Sequence, residues 1–146
     1  KGKNVFLVAC INGIRNKDLY EKFRKYLRDK NIEDRIILIF DSGQVWPYIL
    51  LSDIFIRPTC TDGSSVSIQE ALWTDTSVIA SDCVIRPGEV TLFKDRNPDD
   101  LFEKINDNMH STRLSPEEKL RSATSKTFLH PLLTTVYFPD GNIPEN

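Results

Sequence analysis

Short apolar runs recur along this chain, each followed by an amphipathic stretch of helical length, and few folds accept that alternation. A strand that is apolar along its whole length needs cover on both faces. Helices inserted between successive strands supply that cover, so the pattern specifies a parallel sheet rather than hairpins. The runs lie at residues 5–10, 35–40, 53–57 and 77–81, with a shorter one at 90–93. Helical stretches are expected over 18–30, 46–52, 65–73, 99–109 and 115–126. In the first of these Leu19, Tyr20, Phe23, Tyr26 and Leu27 share one face, while Glu21, Lys22, Lys25 and Arg28 take the other. Asp41-Ser42-Gly43 and Pro58 close the second and third strands, and Ser115-Pro116-Glu117-Glu118 opens the last helix with capping chemistry.

The expected fold is therefore α/β: an open, doubly wound (Rossmann-like), mostly parallel sheet with helices on both faces. At 146 residues the chain suits one such domain, taken to span 1–126, with a tail over 127–146 that holds three prolines and resists assignment. Nineteen basic against 21 acidic residues leave a net charge of −2 and no broad basic field, which disfavours a nucleic-acid partner. No apolar run reaches the roughly 20 residues that cross a bilayer, so no transmembrane segment is expected. Cys10, Cys60 and Cys83 are odd in number and lack metal-ligand spacing, so they read as reduced, half-buried residues of a cytoplasmic protein. The chain starts at Lys1 and its sole methionine is Met109, as expected of a piece of a longer polypeptide.

Ligands of open parallel sheets bind beyond the carboxyl ends of the strands, which directs attention to loops 11–17, 41–45, 58–64 and 82–89. The loop after the third strand is the most informative. Asp62 and Gly63 precede Ser64, Ser65 and Val66, and the helix they open carries Glu70. Backbone amides at Ser64, Ser65 and Val66 would point out of the helix start, where the macrodipole favours an anion, and phosphate is the natural guest. Gly63 allows that guest close to the backbone. Neither Asp62 nor Glu70 can serve a phosphate, because like charge repels it, so both should accept from hydroxyl groups. A nucleotide-sugar has such groups at both ends of a diphosphate.

The run Ser52-Asp53-Ile54-Phe55-Ile56-Arg57-Pro58-Thr59, then Asp62-Gly63, Gln69-Glu70-Ala71-Leu72 and Ser77-Val78-Ile79-Ala80-Ser81-Asp82, resembles the carboxyl-terminal domain of retaining glycosyltransferases of the two-domain B type, above all family 4. Leu92-Phe93 and Asn97-Pro98-Asp99-Asp100-Leu101 extend the likeness. The resemblance implies half of a two-domain enzyme that moves a hexose from a nucleoside-diphosphate sugar to an acceptor with retention. Asp62 would contact the donor sugar, Glu70 would hold the ribose, and the amides at 64–66 would face the sugar and diphosphate. No metal or further cofactor is implied. The saccharide or lipid-linked acceptor would bind through a domain upstream of Lys1, where the family's diphosphate-binding Arg and Lys also fall; peripheral membrane association of the longer enzyme is left open. Three departures stand out: Asp62 replaces the usual Glu, the family's second loop glycine is replaced near Ser65, and Asp75-Thr76-Ser77 replaces Gly-x-Pro, a turn Asp can still make in the left-handed conformation.

Blander readings compete at each position. Ser67-Ile68-Gln69-Glu70 fits a capping box, Asp62-Gly63 an ordinary turn, and Asp53 a cap at a strand start. Arg57 is placed between approaching a phosphate and snorkelling from the sheet edge, and Arg86 is read as part of a solvated turn. His110 and His130 lie too far along the chain to complete a nucleophilic triad. Two other functional classes remain: a sugar-nucleotide epimerase or hydrolase of the same fold, and a non-catalytic α/β binding module.

Overall fold

A computed structural model describes residues 5–11, 13–14, 16–40, 44–63, 65–110 and 113–126. The tail at 127–146 and His130 lie outside the described residues. The chain forms two compact units, Lys1–Val45 and Trp46–Asn146.

In the first unit, strands β1 (Leu7–Ile11) and β2 (Ile36–Phe40) pair in parallel, with Leu7 opposite Ile36 and Ile11 opposite Phe40. Helix α1 (Lys17–Asp29) connects them, capped by the Asn16 side chain, which accepts from the Leu19 amide at 2.9 Å. The helix ends on a left-handed Asn31 (φ 53°), with Ile32 N–H bonded to Leu27 O and Asn31 N–H to Arg28 O. A single 3-10 turn, Glu33–Arg35, follows. Both strands were expected to be buried, yet Leu7, Val8, Ile37 and Phe40 are exposed, and among the described residues of this unit Leu27 is the buried hydrophobic one. Two strands with one accompanying helix cannot cover both faces of their sheet.

The second unit holds most of the core. Its parallel sheet has the order β3 (Ile54–Arg57), β4 (Ser77–Ser81), β5 (Thr91–Phe93). Arg57 registers with Ala80, and Ser81 with Phe93. Central β4 is buried from Val78 to Ser81, as the middle strand of a covered parallel sheet must be. Around it lie α2 (Trp46–Leu51), α3 (Val66–Trp73), α4 (Pro98–Asn108) and α5 (Pro116–Ser125). Helix α3 packs on α2, β3 and β4, and α4 on β4 and β5. The architecture is the expected α/β class of parallel sheets flanked by helices.

Two polar devices set the far edge of this unit. Helix α3 closes in a Schellman turn: Thr76 N–H reaches Ala71 O at 2.9 Å, Asp75 N–H reaches Leu72 O at 3.3 Å, and Asp75 takes the left-handed conformation (φ 52°) expected of it. Helix α5 is then tied to that turn. Lys119, 4% exposed, donates to Ser52 O at 2.5 Å and to Thr76 Oγ1 at 3.1 Å, while Lys126 and Ser122 both bond Asp75. The Ser115–Glu118 capping box forms as expected.

Candidate functional site

The loops beyond the carboxyl ends of β3 and β4 meet around Asp62. Strand β3 delivers Arg57 at its last position, and Pro58 ends the ladder there. From the Arg57 guanidinium, Nε donates to Asp62 Oδ2 at 3.1 Å and Nη2 to Oδ1 at 3.2 Å, a forked pair of the kind that fixes geometry as well as charge. Thr59 Oγ1 donates to Oδ2 at 3.2 Å and the Gly63 amide to Oδ1 at 3.0 Å. From the connection after β4, Arg86 Nη2 lies 3.1 Å from Oδ2. Both oxygens of Asp62 are thus saturated with donors, and the neighbouring Arg57 guanidinium foremost holds its carboxyl far below the usual carboxylate range.

Burial separates the two arginines. The Arg86 side chain is 2% exposed and that of Asp62 9%, whereas Arg57 is 36% exposed. The solvated turn expected around Arg86 is therefore corrected: its guanidinium lies inside, where desolvation of a charge demands a counter-ion, and Asp62 is that counter-ion. Arg86 Nε also reaches Ser81 O at 3.4 Å. Ser81 Oγ and Cys83 Sγ both donate to Thr59 O, at 2.5 and 3.2 Å, which stitches the β3 loop to the end of β4. Cys83 is half-buried as expected, but Cys10 and Cys60 are exposed.

Helix α3 begins at this loop. Its N-cap, Ser65, makes no side-chain cap; the Ser65 hydroxyl pairs instead with Ser67 Oγ at 3.0 Å. Of the first-turn amides, Ile68 N–H reaches Ser65 O at 3.2 Å, and none is met by the N-cap side chain. Val66 opens the helix and is exposed. Ser64 lies outside the described residues. A Cβ added at Gly63 would meet open space, so packing within the protein does not demand glycine there.

Glu70 stands in the second turn of α3, two positions beyond Ile68, the third helical residue, so the capping-box role weighed for it does not form. It is 1% exposed, and its Oε2 has no hydrogen-bond partner. Burial alone pushes its carboxyl above the ordinary value of 4.5. The elements packed on α3 offer it little charge: α2 carries only Tyr48 among titratable groups, β4 carries none, and Arg57 of β3 is held by Asp62. A buried carboxyl oxygen without a donor is costly, which makes Glu70 a candidate for a functional role.

Sequence reasoning singled out both acids but missed what surrounds them. Arg86 and Lys119 carry no local signal of burial, since a cation's counter-ion can come from anywhere in the fold. Asp53 pairs with Arg113 at 2.8 Å instead of capping a strand, and His110 is exposed. Among the described residues no group of three or more His, Cys, Asp or Glu side chains is placed to hold a metal ion, and no helix is long and apolar enough to cross a membrane.

The class defined by this geometry is a parallel α/β domain with a loop-borne polar site at the carboxyl edge of its sheet. Its fold is that of a B-type glycosyltransferase carboxyl-terminal domain. The chain is similar to the crystal structure of the C-terminal domain of a glycosyl transferase group 1 family protein (LpcC) from Francisella tularensis, with a TM-score of 0.65 and 14% sequence identity over 88% of this chain and 70% of that one. No protein-family profile and no curated protein sequence matches the chain.

Proposed function

We propose that this chain is the donor-binding domain of a glycosyltransferase, which takes a nucleoside-diphosphate sugar and presents it for transfer of a hexose with retention, in the manner of family 4. The orphaned Oε2 of Glu70 carries the reading. That oxygen, buried in the second turn of α3, gains its missing hydrogen bond when a ribose offers a hydroxyl. The uncapped first turn of α3 suits a diphosphate, and open space beside Gly63 leaves room for it. The fold shared with the LpcC domain supports the same assignment. In this scheme preorganised amides meet the charge that develops on the leaving diphosphate, a role that needs no metal. The acceptor, a saccharide or a lipid-linked one, would be bound by another domain, and the cytoplasm is the compartment where nucleotide-sugar donors suit such an enzyme.

A thermal-shift screen of uridine, guanosine, adenosine and thymidine diphosphates and their sugar conjugates tests the proposal. One of them at a hundred times its dissociation constant should stabilise the chain by about 2.7 kcal/mol. Glu70→Gln should weaken that ligand by roughly 1–3 kcal/mol, the worth of a hydrogen bond to a charged group. Equal affinity of the two forms by titration calorimetry would remove Glu70 from the site and the proposal with it.

A further inference from the structure

Three charged groups meet where two would suffice. Arg86 is buried and Asp62 neutralises it at 3.1 Å, so the pair is complete without Arg57. Arg57 adds a second guanidinium to the same carboxylate from the solvent side, 36% exposed, and leaves the cluster with a surplus positive charge in a chain of net charge −2. A carboxylate accepts about four hydrogen bonds. Asp62 already takes two from Arg57 and one each from Arg86, Thr59 and Gly63. In this arrangement it has no capacity left for a sugar hydroxyl, and Arg57 has spent its forked face on an internal partner.

We propose that Arg57 is an anion-binding residue parked on Asp62, and that a diphosphate draws it away. This rests on the donor-binding reading above and assigns a cation to it. The exchange conserves charge pairing: Arg57 trades one forked acceptor, the carboxylate, for another, a phosphate. Arg86 stays behind as the fixed counter-ion, so Asp62 does not become an uncompensated buried charge. Departure of Arg57 leaves Thr59 and Arg86 on Oδ2 and the Gly63 amide alone on Oδ1, so about one acceptor position opens, on Oδ1, and a hydroxyl of the donor sugar can fill it. Phosphate binding thereby unmasks sugar binding. The helix start alone lacks a side-chain cation, and Arg57, placed by β3 at the same loop, supplies one.

Titration calorimetry of the full chain with inorganic pyrophosphate, and with each nucleoside diphosphate in turn, tests the exchange. Arg57→Ala should lower pyrophosphate affinity roughly tenfold or more, as loss of one charge-assisted pair does. Arg57→Lys keeps the charge without the fork and should fall between the two. Asp62→Asn removes the competitor and should raise pyrophosphate affinity several-fold, the opposite of what a purely sugar-binding Asp62 would do. Because Asp62→Asn also strips Arg86 of its counter-ion, circular dichroism melts accompany each variant, and the Arg57 pair decides the matter if Asp62→Asn does not fold. Wild-type affinity in Arg57→Ala, with nucleotide binding still sensitive to Glu70→Gln, would overturn the parked arginine and leave the donor-binding reading intact. Failure of the wild-type chain to bind any of these anions would overturn both.

Discussion

Glu70 and Asp62 are both acids near the start of α3, yet their surroundings drive them in opposite directions, and each direction has a consequence in pH. Burial raises the Glu70 carboxyl above 4.5. Between that value and its folded one, the folded chain keeps a proton that the unfolded chain has lost, so stability falls as pH rises through the window. Urea titrations of the ligand-free protein from pH 4.5 upward should show that fall, and Glu70→Gln, which does not ionise, should flatten it. A ligand whose hydroxyls donate to the carboxylate should reduce the fall as well. Asp62 behaves inversely, because Arg57 and Arg86 depress it below 3.8. Its contribution is present in full above that value and is lost as pH drops towards its folded one. At neutral pH Asp62→Asn should cost about 3 kcal/mol or more by leaving Arg86 buried beside a weaker partner, a loss readable in the urea midpoint that shrinks as the wild type is acidified. Both acids were legible from their spacing and from the helix that separates them. Their ionisation was not, because it depends on Arg86, 24 positions beyond Asp62, and on the depth at which α3 packs.

Helix α5 shows how an element can be identified correctly and still be understood only through its contacts. Its start was readable in Ser115, Pro116 and Glu118, since capping is a local transaction between residues three apart. Its attachment is not local: Lys119 crosses to Ser52 O and Thr76 Oγ1, and Lys126 and Ser122 clasp the left-handed Asp75. Lys119→Ala should therefore destabilise the chain by about 1–3 kcal/mol, because it takes the lysine's donors from the part-buried Ser52 carbonyl and the buried Thr76 hydroxyl. Leu120→Ala, one position on and exposed, should change the melting temperature little. Equal losses in the two variants would show that α5 is held by its apolar contacts and not by the lysine.

Within the whole chain, burial is uneven. The core gathers around β4 and α3 in the second unit, where Ile68, Ala71, Val78, Ile79, Ala80 and Phe93 are buried, whereas the strands of the first unit leave large apolar side chains in solvent. Regions with few buried apolar contacts open at lower free energy. Amide exchange followed by mass spectrometry should find β4 the most protected strand and β1 and β2 exchanging well before it. Uniform protection across both units would mean that they unfold as one.

Periodicity and turn chemistry determined the order of elements, their parallel character and the loop singled out as a candidate site, because each of those follows from residues within one turn or one strand of each other. Asp75, read as a residue able to end a helix in the left-handed conformation, is the clearest instance. What only the tertiary structure decided is which charges share a buried volume. Arg57 at the end of β3, Asp62 in the loop after it and Arg86 in the connection after β4 are brought together by parallel pairing of β3 with β4, and the cost of burying an ion is set by that meeting and by nothing in the neighbouring sequence.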